Sequence, residues 1–183
     1  MKVSDSMLKK GYIHIYKGEG RGKTSILNGM VIRALGNNLN VSYLRFLKNR
    51  PSGEINFLKQ NTKLKIESFY ESSQKFFWEM DEEEKNKLKQ ETNYGLTRLK
   101  LLSQSDNTDL IVVDEILGCI QNNLIKEQDL IEILKNKKRH IEIALSGRYA
   151  SFALEQCANL ISEVKSIKHY FEQGQIAREG IDY

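Results

Sequence analysis

Apolar and polar positions along this chain fall into blocks that switch repeatedly between a two-residue and a helical period. Residues 11–16 alternate as a strand with one face turned to a core. Leu27, Met30, Val31, Ala34 and Leu35 then recur at helical spacing over 24–35, and Gly36 closes that helix. A second strand is predicted over 41–46, a loop with the single proline, Pro51, over 47–53, and a short helix over 54–60. Strand three is 64–69. A long polar helix starts near the acidic run 81–84, where negative charge suits a helix N-terminus; Leu88, Thr92, Leu96, Leu99 and Leu102 mark its buried face. Residues 109–113 (Asp-Leu-Ile-Val-Val) read as a fully buried central strand. A helix near 127–135, a fifth strand over 141–145, a short helix over 150–157 and a last strand over 160–164 complete the pattern. Residues 1–10 read as a short N-terminal arm and 165–183 as an irregular, charged tail.

Strands alternating with helices imply an α/β fold, a mostly parallel central sheet of about six strands flanked by helices on both faces. The length of 183 residues suits one domain spanning 1–183. Ligands of such sheets bind beyond the carboxyl ends of the strands. That rule gathers the 17–25 loop, the 46–54 loop, the 70–80 segment, Asp114-Glu115 and Ser146-Gly147-Arg148 into one site.

Composition narrows the function classes. A hydrophobic share of 40% with 28% charged residues is that of an ordinary globular protein. The net charge of +4 is spread along the chain, compatible with a polyphosphate ligand and too weak to argue for nucleic acid. No apolar run approaches membrane-spanning length, and residues 1–10 lack an apolar signal core, so a cytoplasmic location is expected. Cys119 and Cys157 are far apart and read as reduced thiols; His14, His140 and His169 lack metal-ligand spacing.

The chemistry concentrates at the end of the first strand. Gly18-Glu19-Gly20-Arg21-Gly22-Lys23-Thr24-Ser25 is a glycine-rich turn running straight into a helix. Closely spaced glycines let several N–H groups face one cavity, capped by the helix N-terminus, which suits a polyphosphate. Lys23 supplies a mobile charge and the Thr24 hydroxyl a ligand for Mg2+ (or Mn2+). The usual P-loop has a glycine five positions before that of Gly-Lys-Thr; Lys17 stands there, and Gly18 is one residue closer.

Asp114 and Glu115 end the buried strand 109–113, where P-loop proteins place a metal-holding carboxylate. Glu115 either orients a hydrolytic water or helps fix the metal, and spacing alone does not separate the two. Arg148, after Gly147 at a strand's carboxyl end, is placed to contact phosphate. Arg33 lies on an otherwise apolar helix face, while Arg45 and Lys48 are either site residues or ordinary solvated cations. Phe76-Phe77-Trp78 is the densest aromatic cluster and reads equally as core or as the wall of a pocket for a large, flat partner.

On these residues the chain resembles the ATP:corrinoid adenosyltransferases. The family loop Gly-Asn-Gly-Lys-Gly-Lys-Thr-Thr has the same short spacing as Gly18 to Ser25. Arg33-Ala34-Leu35-Gly36 resembles its Arg-Ala-x-Gly, and Arg45-Phe46-Leu47-Lys48 followed by Gly53-Glu54 its Gln-Phe-Ile-Lys…Gly-Glu. Asp114-Glu115, Leu145-Ser146-Gly147-Arg148, and the ending Lys168-His169…Gly174…Ala177…Gly180-Ile181-Asp182-Tyr183 follow the family pattern too. Departures are Arg45 for Gln, Tyr170 for Pro, and Lys75-Phe76-Phe77-Trp78-Glu79-Met80 for Gly-Phe-Thr-Trp-Glu-Thr.

The resemblance implies a RecA-like P-loop fold and transfer of the 5′-deoxyadenosyl group of ATP to a Co(I) corrinoid, such as cobalamin or a precursor, with release of triphosphate. ATP would lie on Gly18 to Ser25, Arg33 and Arg148, with Lys23, Thr24 and Glu115 acting in catalysis, and the metal on Thr24, Asp114 and Glu115. Phe76 and Trp78 would face the corrin ring. A homodimer and a transient flavoprotein reductase are further family expectations. The rival reading is a P-loop ATPase or small-molecule kinase in which Glu115 serves water or an acceptor hydroxyl.

Overall fold

A computed structural model describes residues 8–48, 52–61, 63–73 and 75–183. Most of the N-terminal arm, Pro51 with its two preceding residues, and residue 74 of the 70–80 segment lie outside them. The strands are β1 (Ile13–Lys17), β2 (Val41–Phe46), β3 (Leu64–Phe69), β4 (Leu110–Asp114), β5 (Glu142–Ser146) and β6 (Leu160–Glu163). They form one sheet in the order β3-β2-β4-β5-β1-β6, with every neighbouring pair parallel. The helices are α1 (Lys23–Gly36), α2 (Gly53–Leu58), α3 (Glu82–Leu102), α4 (Ile116–Gln121), α5 (Glu127–Asn136) and α6 (Phe152–Glu155).

Side-chain alternation divides the core in two. Ile15 of β1, Val113 of β4 and Leu145 of β5 turn to the face covered by α3 to α6. Tyr43, Val112 and Ala144 turn to the face covered by α1 and α2. A strand covered on both faces must be apolar throughout, and β4 is, until Asp114. Asp114 and Ser146 share the parity of Val112 and Ala144, so they emerge under the start of α1. Two-residue periodicity thus aims two polar groups into one place at the carboxyl end of the sheet.

The long helix begins as its acidic run predicts. Asp81 caps it by accepting the Glu84 N–H at 2.9 Å, and the Glu84 carboxylate accepts the Asp81 N–H at 3.0 Å. Its Leu88 and Leu99 are fully buried, each contributing about 1.5–3 kcal/mol. Truncating either to alanine should cost about 2–5 kcal/mol.

The structure refines the sequence expectations in three places. A helix, α4, follows β4 at once; its six residues are too few for periodicity to register. The strand expected over 141–145 is Glu142–Ser146, which puts Ser146 inside the sheet rather than in a turn. The tail is irregular but not loose: a 3₁₀ turn at Tyr170–Gln173 leads into a tight knot around Asp182.

Candidate active site

The glycine loop lies directly on the end of β6. Gly18 has φ +114, and a Cβ there would stand 2.3 Å from the Val164 carbonyl oxygen. Gly20 donates its N–H to that oxygen at 2.8 Å, and Gly18 donates to the Arg148 carbonyl at 2.9 Å. Only residues without side chains fit so close to another backbone. Gly22 precedes α1, whose first N–H groups have no partner within the helix. The Lys23 ammonium curls back to donate to the carbonyl oxygens of Gly18 (2.6 Å) and Gly20 (2.8 Å). Burial holds its pKa below the ordinary lysine value, opposed by Glu115 and Glu19.

Asp114 is the hub of the site and is wholly buried. Its Oδ1 accepts the Ser146 hydroxyl at 2.6 Å. Its Oδ2 accepts the Lys48 ammonium at 2.5 Å and the Thr24 hydroxyl at 3.2 Å. Lys48 Nζ also lies 2.6 Å from Thr24 Oγ1, so one ammonium bridges hydroxyl and carboxylate. The Tyr43 hydroxyl lies 3.5 Å from Oδ2, and burial followed by the Asp114 charge pushes its pKa far above the ordinary tyrosine value. Glu115 has left-handed backbone (φ 64), which breaks the strand and starts α4; its N–H donates to Ser146 Oγ at 2.9 Å. Burial, then the neighbouring Asp114 charge, raises its pKa against the pull of Lys48, Lys23 and Arg148.

Above this hub opens a cavity of about 1310 Å³, bordered by Thr24, Lys48, Glu115 and Arg148 on the sheet side and by Lys168 and Tyr183 on the tail side. Small-molecule sites run to roughly 300–1,000 Å³, so it has room beyond one nucleotide. Glu19, Gly20, Arg21, Gly22, Lys23 and Ser25 also line it, whereas Asp114 and Gly18 lie behind its wall. Arg148 faces Glu19 at 3.5 Å, both largely exposed, an ion pair of little energetic weight.

Other expected site residues sit apart. Arg33 is exposed in the last turn of α1, ten residues and about 15 Å of helix beyond Lys23, and does not line the cavity. Phe76 and Trp78 do not line it either. They stack on each other with centroids 4.7 Å apart and planes 5° from parallel, both exposed, while Phe77 between them packs on the core.

Sequence reasoning left one question open and missed two features. Arg45 is buried beside Asp114 in the register of β2 and β4, and Lys48 is bonded into the hub, so neither is a solvated cation. Ser146 is a two-way bridge. Arg21 is held by the tail: its guanidinium lies 2.5 Å from Asp182 Oδ1 and 2.6 Å from the Tyr170 hydroxyl. Asp182 also accepts from Tyr170 and from the Arg178 N–H and guanidinium, and its side chain is 2% exposed. The closing Gly180-Ile181-Asp182-Tyr183 was the available signal, but its contact with the loop has no local signature.

Among the described residues no three His, Cys, Asp or Glu side chains are grouped to hold a metal, and no helix is long and apolar enough to cross a membrane. A glycine loop ending Lys23-Thr24, with a buried aspartate ending a parallel strand beside it, defines a P-loop nucleotide-binding protein. The fold agrees with that of the flagellar accessory protein FlaH from Methanocaldococcus jannaschii: TM-score 0.52 at 16% identity, over 85% of this chain and 72% of that one. The family model for ATP:corrinoid adenosyltransferase BtuR/CobO/CobP matches residues 9–183, and the chain belongs to that family. Its relatives include the corrinoid adenosyltransferase CobA of Salmonella typhimurium, 27% identical over all of this chain and 90% of that protein. The corrinoid adenosyltransferase of Pseudomonas aeruginosa is 25% identical over all of this chain and 88% of its own length.

Proposed function

We propose that this protein transfers the 5′-deoxyadenosyl group of ATP to the cobalt of a Co(I) corrinoid and releases triphosphate. One bond forms, cobalt to C5′, and one breaks, C5′ to O5′; the electron pair comes from Co(I), and triphosphate leaves with the other. The observation that carries the reading is the match over residues 9–183, joined to a loop whose Lys23 and Thr24 line one cavity, with the strand-end Asp114 bonded to Thr24 behind its wall.

Co(I) is itself a strong nucleophile, so the protein's work is to align C5′ with cobalt and to stabilise charge on the departing triphosphate. The α1 N-terminus, Lys23 and Arg148 supply that stabilisation, and Lys23 is already poised over the loop. The Thr24 and Asp114 oxygens would hold Mg2+ (or Mn2+); that a cation, the Lys48 ammonium, lies between them supports the fit. When bound, the metal adds positive charge against the phosphate oxygens. Glu115 lines the cavity one residue on and adds negative charge on the metal side.

Phe76 and Trp78 present parallel, exposed ring faces, a surface suited to a flat macrocycle. An apolar wall there would displace an axial base from cobalt and ease its reduction to Co(I). A flavoprotein electron donor and a homodimeric assembly complete the proposal.

Product identity tests it. Incubation with ATP, Mg2+ and chemically reduced cob(I)alamin should yield a light-sensitive cobalt–carbon chromophore and triphosphate in equal amounts. ADP and phosphate without a photolabile product would favour the ATPase or kinase reading, with Glu115 serving water or an acceptor hydroxyl.

A further inference from the structure

The end of β2 carries the residue with the least obvious task. Leu47 has left-handed backbone (φ 51), a conformation that side chains other than glycine, asparagine and aspartate seldom adopt. It ends the strand, and the next side chain, Lys48, places its ammonium 2.6 Å from Thr24 Oγ1 and 2.5 Å from Asp114 Oδ2. Those two oxygens are the pair assigned above to a divalent cation.

We propose that the Lys48 ammonium and the divalent cation are alternative occupants of the Thr24–Asp114 pair, and that metal entry moves Lys48 onto the triphosphate. The inference rests on the metal placement in the proposed function and adds the residue that exchanges with it. Asp114 Oδ1 is committed to Ser146, so Oδ2 and Thr24 Oγ1 offer one shared position. A metal touching both oxygens at about 2.0–2.1 Å would fall almost on the ammonium, and two cations do not share that space. A wholly buried carboxylate also needs a partner at every stage, and exchange keeps Asp114 compensated throughout. Lys48 is able to move: its side chain is 27% exposed, its stem has four rotatable carbons, and it borders the same cavity as Lys23. Lys23, by contrast, is parked on loop carbonyls. The two lysines would therefore reach the triphosphate from opposite sides, one from the loop and one from the metal position.

The test is Mn2+ binding, followed by the electron paramagnetic resonance of free Mn2+ on the full chain without nucleotide. Lys48→Met keeps the apolar stem and removes the competing charge. It should bind Mn2+ at least tenfold more tightly than wild type, and Asp114→Asn should lose most of the affinity. With ATP present the order should reverse, Lys48→Met holding Mn2+·ATP more weakly for want of a phosphate contact. Equal or weaker Mn2+ binding by Lys48→Met without nucleotide would overturn the exchange. Unchanged Mn2+ affinity in Asp114→Asn would overturn both the exchange and the metal placement. Mn2+ binding reads neither triphosphate nor a cobalt–carbon bond, so failure of the transferase reading would leave this result standing. Should Lys48→Met not fold, wild type carries the test: amine labelling of Lys48, resolved by mass spectrometry, should rise on adding Mn2+. No change on saturation with Mn2+ would count against exchange.

Discussion

Replacing Ser146 by alanine isolates the bridge beneath the site. The hydroxyl donates to Asp114 Oδ1 at 2.6 Å and accepts the Glu115 N–H at 2.9 Å, in a position closed to solvent. Alanine fills nearly the same space, so cavity formation contributes little and the cost is that of the two hydrogen bonds. A hydrogen bond to a charged carboxylate is worth about 1.5–3 kcal/mol, and a buried N–H left without a partner costs about 1–3 kcal/mol. Burying a methyl group in place of the hydroxyl offsets part of this, leaving about 3 kcal/mol. For a chain of this length that is a fall of roughly 6–12 °C in Tm. Urea unfolding should show a lower midpoint with an unchanged slope, because the surface exposed on unfolding is the same. The Ser146→Thr variant keeps the hydroxyl and should recover most of the loss. A Ser146→Ala cost below about 0.5 kcal/mol would refute the bridge, since even one lost charged hydrogen bond exceeds that.

Other perturbations separate the remaining parts of the account. Lys23→Ala should weaken ATP binding at least a hundredfold in calorimetry while changing stability little, because among the described residues the Lys23 ammonium bonds only to loop carbonyls. Phe76→Ala and Trp78→Ala should cripple turnover that starts from Co(II) corrinoid far more than turnover on chemically reduced Co(I); equal losses would sink the aromatic assignment. The tail clasp should depend on pH. The Tyr170 hydrogen bond, Arg178 and Arg21 hold the Asp182 carboxyl below the ordinary aspartate range. Its folded value therefore lies under the unfolded value near 4, so its contribution is complete above about pH 4 and falls away on further acidification. Hydrogen-exchange protection across 165–183, taken relative to the intrinsic rate at each pH, should fall over that acid range, and Asp182→Asn should show the reduced protection at neutral pH.

Periodicity made the sheet legible because each strand carries its own signal. β4 is an unbroken apolar run, β1 alternates, and the five leucine-phase positions of α3 fall where its buried face lies. The glycine loop was legible for the same local reason. What escaped the sequence was contact between distant segments. Nothing near Lys48 signals that its ammonium reaches Asp114, 66 residues on, and nothing near Arg21 signals Asp182 at the far end of the chain. α4 escaped because six residues hold too little periodicity, and its start depends on left-handed backbone at Glu115 rather than on composition. The Arg-Ala-x-Gly match carries no distance, so the sequence did not show that ten residues of helix separate Arg33 from the loop.

The central claim is that the reacting atom of ATP is C5′ and not a phosphorus. ATP labelled with 18O at the bridging 5′ oxygen tests it directly, in a reaction with reduced corrinoid analysed by mass spectrometry. Cleavage between C5′ and O5′ predicts that all of the label leaves in triphosphate and none remains with the adenosyl product. Label retained on the nucleoside, in ADP or AMP, would mean that attack falls on phosphorus and would contradict the account.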